Sequence, residues 1–435
     1  YKSIDDVLFS KDETKLICYP ASKSGDSYAI PTKVIKIDDS AFFGCSNLTS
    51  VMIHDDIIEI PDNAFSQCSG LTSITIPDKV STIGSQAFSG CKELNSVIMK
   101  NVNVIGDGAF EDCIKLISIT IPVAVTSIGK GIFSGCKNLN SINLINTKSL
   151  NNASYKSIDG VLFSKNGKEL ISYPAGKTEN SYIIPDSVTK IDNEAFLGCE
   201  NLVSIKMPNS VTNIEDGAFL GCEGLTSIEF GQNVANIGAS AFVGCKSLTS
   251  LTIPDNVISI GEDAFSLCTS LKSVKIGKGI NTISPSTFYD CTKLSKVNIP
   301  ASVTKIETRA FAICPNLEYI VIPSSVQKID SYAFLCSGLK DVTYKGDKDI
   351  TNNDNAFYGC KNLKSVKVPK KYNGNSFFGI PVSKQKGKGL SKSAKIGISV
   401  GAALLVVAVI VICVLFCLKK SHVADVSDAI NVPLL

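Results

Sequence analysis

The stretch Leu71-Thr-Ser-Ile-Thr-Ile-Pro-Asp-Lys-Val-Ser-Thr-Ile-Gly-Ser-Gln-Ala-Phe-Ser-Gly-Cys-Lys-Glu93 is one period of a pattern that fills most of the chain. Within it, Ser73-Ile74-Thr75-Ile76 alternates polar and apolar residues and reads as a short strand that stops at Pro77. Val80, Ile83, Ala87, Phe88 and Cys91 follow at uneven spacing, too short for a long helix and suited to a turn or a 3₁₀ segment.

The neighbouring periods repeat this grammar. A phenylalanine and a cysteine three residues apart recur, and the cysteines advance by almost 23 residues: Cys45, Cys68, Cys91, Cys113 and Cys136, then Cys199, Cys222, Cys245, Cys268, Cys291, Cys314, Cys336 and Cys360. Such a period stacks one supersecondary unit that cannot bury its apolar face alone, so a solenoid with function on a repeated surface is expected. Equivalent positions in successive coils enter the same core layer. Phe65, Cys68, Phe88, Cys91, Phe219, Cys222, Phe242 and Cys245 are therefore read as part of a structural spine, the thiols acting as small buried hydrophobes. No ladder cysteine has a second one two to four residues away, as zinc sites require, and no metal or other cofactor is expected.

The ladder misses a beat between Cys136 and Cys199, where the start of the chain returns. Tyr-Lys-Ser-Ile-Asp-Asp-Val-Leu-Phe-Ser at 1–10 becomes Tyr-Lys-Ser-Ile-Asp-Gly-Val-Leu-Phe-Ser at 155–164. With Asn166-Gly167 supplying a tight turn, this module reads as a β-hairpin. The expected organisation is a hairpin module at 1–31, a repeat block at 32–150, a second hairpin module at 151–185 and a second block with a C-terminal cap at 186–382. A Lys/Gly stalk at 383–395, a transmembrane helix at 396–418 and a short tail at 419–435 complete it.

Residues 396–418 carry no charge and lie between Lys395 and Lys419-Lys420, a length that spans a bilayer. Five lysines from Lys384 to Lys395 precede the helix and two follow it, a bias that taken alone places the repeats in the cytosol. The chain opens at Tyr1 without an initiator methionine or an apolar leader, which implies that processing or truncation removed what preceded it.

Composition narrows the function class. The 43 basic and 40 acidic residues nearly balance, and Arg309 is the single arginine, so nucleic-acid recognition is not expected. Two histidines, His54 and His422, and no nucleophile–base–orienter set or phosphate loop at usable spacing argue against an enzyme.

The grammar Leu-x-x-Ile-x-Ile-Pro followed by Ile-Gly-x-x-Ala-Phe-x-Gly-Cys resembles the BspA-like leucine-rich repeat family over about residues 30 to 370. The resemblance implies an α/β-type repeat solenoid: a leucine-rich repeat arc with a parallel β-sheet on its concave face, short 3₁₀ or irregular returns on the convex face, two β-hairpin modules and one transmembrane helix. It also implies a single-pass plasma-membrane protein with the repeats outside, adhering to extracellular matrix or host-cell proteins or glycoproteins. In such repeats the strand residues that alternate with core positions face the concave surface. Thr75, Thr120, Lys206, Glu229, Thr252, Lys275 and Lys367 are the candidate binding residues, for an extended macromolecule rather than a small-molecule substrate. Two further readings are an endocytic or signalling receptor acting through the tail and a tail-anchored cytosolic scaffold.

Overall fold

The computed structural model describes residues 1–145, 153–352 and 355–385. Tyr1–Lys384 form one compact unit. The membrane segment at 396–418 and the tail lie outside the described residues, as does most of the stalk. No helix of the described residues is long and apolar enough to cross a membrane.

The unit is a β-solenoid of short parallel strands, and the described residues contain neither an α-helix nor a 3₁₀ segment, which corrects the α/β reading. Each coil contributes two strands where the sequence reading expects one. A wide ladder stacks strands such as Ser50–Met52, Ser73–Thr75 and Ser96–Ile98, with like residues in register: Ser96 opposite Ser73, Val97 opposite Ile74 and Ile98 opposite Thr75. A narrow ladder stacks two-residue strands such as Glu59–Ile60, Thr82–Ile83 and Val104–Ile105. The returns assigned to 3₁₀ geometry thus open with a strand and continue as hydrogen-bonded turns. The cause is stacking: with each coil laid on the last, the amides of Ser81 and Gly84, on either side of Thr82–Ile83, donate to the Ile58 and Ile60 carbonyls of the preceding coil, an inter-coil pairing that a local 3₁₀ turn does not offer.

Between the ladders runs the spine. Phe65, Phe88, Phe219 and Phe242 are fully buried, and Phe65 stacks on Phe88 with ring centres 5.4 Å apart and planes 2° from parallel. The thiols of Cys68, Cys91, Cys222 and Cys245 are buried beside the rings. Each donates to the carbonyl of the phenylalanine one coil back, as Cys68 Sγ does to Phe42 at 3.0 Å and Cys91 Sγ to Phe65 at 3.2 Å. All cysteines of the described residues are free thiols.

Cys336 departs from this scheme. It is exposed, because in Phe334-Leu335-Cys336-Ser337 the cysteine sits two residues after the phenylalanine, in the left-handed conformation (φ 52°) that Gly90 holds in its own coil (φ 72°). Ser337 takes the inward place and donates through Oγ to the Phe311 carbonyl at 2.6 Å. The inward position therefore selects a small side chain that donates a hydrogen bond, sulfur or oxygen alike. Alkylation of the native protein is expected to label Cys18 and Cys336 at once and the buried ladder thiols only after unfolding. Rapid native labelling of Cys91 or Cys268, read by peptide mass mapping, would contradict the packing.

Each duplicated module is a three-stranded antiparallel meander rather than a single hairpin. Lys2–Ile4, Val7–Phe9 and Lys15–Cys18 form the first, and Tyr155–Ile158, Val161–Ser164 and Glu169–Ser172 the second. The Asn166-Gly167 turn is the second bend of its module. The first is Asp159-Gly160, with φ of 51° and 77°, the left-handed pair that a two-residue hairpin loop needs. The third strand of each meander pairs in parallel with the next narrow strand, Leu16 opposite Ile37 and Leu170 opposite Ile191, so each module starts a narrow ladder.

The second module also joins the two blocks. The core divides into two clusters: Leu162 packs into the first, while Val161 and Phe163 pack into the second. One strand is therefore buried on both faces. Its counterpart Leu8 is half-exposed, with no coil packed outside it among the described residues. Ser157 Oγ donates to the Ile142 carbonyl at 2.5 Å, Ile128 N–H donates to the Tyr155 hydroxyl at 3.0 Å, and Ser134 bonds Glu194 across the same seam.

Candidate functional site

Alternation along each wide strand sends the middle residue into the core and its two neighbours outward. In Ser73–Thr75, Ile74 is buried while Ser73 and Thr75 are exposed, and Ser250–Thr252 repeats the arrangement. Thr75, Thr120, Lys206, Glu229, Thr252 and Lys275 are exposed on this face, and Lys367 is half-buried on it. Because like positions are in register within each block, these side chains form a row running from coil to coil in each.

The chemistry of the row changes along the chain. In the first block the outermost side chains are Met52, 71% exposed, and Ile98, 51% exposed, with Thr75 between them. Met52 and Thr75 border a shallow depression of about 510 Å³ whose lining includes Tyr28 and no charged side chain. Burial pushes the Tyr28 hydroxyl up to about 12, so it stays protonated in alkaline solution where an exposed tyrosine ionises.

The second block is charged, and its charges divide into two kinds. Lys206 and Glu229 face each other on adjacent strands and pair at 2.9 Å, and Lys367 pairs with Asp341 at 2.6 Å. Lys275 has no ion-pair partner among the described residues. It lines a depression of about 670 Å³ together with Thr252, Lys296, Asn298, Tyr319 and Lys345. The sequence reading did not select Lys296, Tyr319 or Lys345. Lys296 and Tyr319 stand where most wide strands begin with serine, so a break in that serine column was the available signal. Lys345 follows its strand, where Pro77 or Pro254 stands in other coils.

The depressions are open, and among the described residues no group of three or more histidine, cysteine, aspartate or glutamate side chains converges as a metal site. What the face offers is a pre-ordered, registered surface of side chains.

Comparison with known proteins agrees with the architecture. Residues 18–140, 175–293 and 259–379 match the model of the BspA type leucine rich repeat region, in six copies. A leucine rich cell surface protein from Faecalibacterium prausnitzii A2-165 is similar at 31% identity over 67% of this chain and 92% of its own, with a TM-score of 0.55. A leucine-rich repeat protein from Eubacterium ventriosum is similar at 28% identity over 76% of this chain and 92% of its own, with a TM-score of 0.58. The pneumococcal vaccine antigen PcpA shares the fold at 18% identity, with a TM-score of 0.59, over 88% of this chain and 100% of its own. No curated protein matches the chain by sequence.

Proposed function

Because the chain belongs to the BspA-type leucine-rich repeat family, we propose that it is a membrane-anchored cell-surface protein that recognises protein or glycoprotein ligands of host matrix or cells through the wide-ladder face. The observation that carries this reading is the exposed row of side chains on that face. Its residues differ from coil to coil while the buried positions beneath them repeat, as Thr252 and Lys275 do over Leu251 and Val274. A rigid backbone with variable outward side chains lowers the ordering cost of binding, and the open depressions suit an extended partner better than an enclosed small molecule. The uncharged run at 396–418 supplies the anchor, and many anchored copies add weak contacts into avidity. The relative described as a cell surface protein supports the placement.

The test is adhesion of intact cells carrying the full chain to a panel of immobilised matrix proteins. Protease shaving is expected to remove the repeats together with adhesion. Thr120→Arg combined with Thr252→Arg is expected to lower adhesion about tenfold or more, without moving the melting temperature. Survival of the repeats under shaving would sink the outside orientation, and unchanged adhesion of the double variant would exclude this face.

A further inference from the structure

The charges around the larger depression are not arranged as solubilising charges are elsewhere on the same face. Lys206 and Lys367 each have a carboxylate partner on an adjacent strand, Glu229 and Asp341. Lys275, Lys296 and Lys345 line the depression with no carboxylate among its lining residues. Ser273 stands opposite Lys296, which places Lys275 and Lys296 on the diagonal of adjacent strands, about 7–8 Å apart at the backbone. Both are exposed, and like charges at that spacing repel. Beside them are Tyr319, 52% exposed, and Val321, half-buried on the same strand. The surface is thus cationic on one side and apolar on the other.

We propose that this depression binds an acidic polypeptide segment in extended conformation, with carboxylates on Lys275, Lys296 and Lys345 and apolar side chains on Tyr319 and Val321. The inference rests on the surface-recognition reading and deepens it by naming the partner's chemistry. A strand alternating acidic and apolar residues sends its carboxylates to one face and its apolar side chains to the other, so that, lying edge-on in the depression, it turns the first toward the lysines and the second toward Tyr319 and Val321. A sulfated polysaccharide would satisfy the lysines but leave Val321 without an apolar partner. Lysine ammonium groups also act as point charges that accept carboxylates in many geometries, without the paired fork by which arginine reads phosphate or sulfate.

The test uses the full chain in detergent micelles and three probes: a short peptide alternating glutamate with valine, its glutamine counterpart, and a heparin oligosaccharide. The acidic peptide is expected to bind, the glutamine peptide about tenfold or more weakly, and salt to weaken the difference. Lys275→Glu with Lys296→Glu should lose about tenfold or more of the acidic peptide's affinity, Lys275→Gln with Lys296→Gln an intermediate amount, and Lys246→Glu, at an exposed position outside the wide strands, little. Tighter binding of heparin than of the acidic peptide, no binding of that peptide, or indifference to the Lys275 and Lys296 changes would overturn the proposal. If the same protein supports adhesion of intact cells, those outcomes leave the surface-recognition reading standing, whereas loss of that adhesion result alone overturns the reading.

Discussion

Raising the pH from 9 to 11 is expected to unfold the repeat unit at a temperature where it is stable at neutral pH. Burial pushes the thiols of Cys91, Cys136, Cys268, Cys314 and Cys360 up to about 12, outweighing the hydrogen bonding that acts the other way. Burial also holds Cys113, Cys199, Cys245 and Cys291 well above the ordinary thiol range. The folded state therefore keeps protons that the unfolded chain releases near pH 9. Stability is untouched below that pH and falls as the pH rises toward the folded values, because the unfolded state then binds fewer protons. Each thiol removes about 1.4 kcal/mol per pH unit in this window, so five together remove about 7 kcal/mol by pH 10, against about 5–15 kcal/mol for a typical fold. Lysine deprotonation breaks surface ion pairs in the same range, but exposed pairs contribute only about 0–1 kcal/mol each. The discriminating measurement is the slope of stability against pH, followed by circular dichroism in urea. Cys268→Ala should lower the slope by one proton, and an unchanged slope in that variant would show that the thiols are not the cause.

The same thiols show what the sequence discloses and what it hides. The 23-residue beat and the alternation in Ser73-Ile74-Thr75-Ile76 made the stacked coil and its wide strand readable, because both are properties of the chain's own period. Thr82–Ile83 was not readable as a strand: two residues carry no alternation, and their pairing exists only once another coil lies alongside. Cys336 was assigned inward by residue type, whereas position decides, and Ser337 keeps the interval of 23 residues from Cys314. The Asp159-Gly160 bend was a legible turn signal overshadowed by Asn166-Gly167. The exposed row could be placed from alternation alone. The grouping of Lys275 with Lys296, Tyr319 and Lys345 could not, since it depends on register between coils and on the residue that follows each strand.

Phe242→Ala is expected to divide the second block rather than merely weaken it. Its ring is fully buried between Phe219, 4.9 Å away with planes 4° from parallel, and Phe265, 5.2 Å away at 3°, with Phe230 against its edge at 5.9 Å. Truncation leaves a ring-sized cavity that costs about 3–5 kcal/mol, and the two lost stacking contacts belong to two different coil interfaces. Collapse of the coils into the gap is opposed by the parallel pairings on either side, Asn213–Ile214 with Asn236–Ile237 and the latter with Ser259–Ile260, which hold the spacing fixed. In a stacked array stability is roughly the sum of coil terms and nearest-neighbour terms, so a defect at this coil weakens the array on both sides while distant interfaces keep their strength. Urea unfolding should then resolve two transitions, and hydrogen exchange should show early opening near residues 236–260 while Ile306 and Ile329 remain protected. Phe242→Leu, which keeps most of the volume, should cost far less and retain the wild-type transition. A single transition in Phe242→Ala, shifted by less than about 1 kcal/mol, would mean that the ladders alone carry the cooperativity and that the aromatic spine is filler.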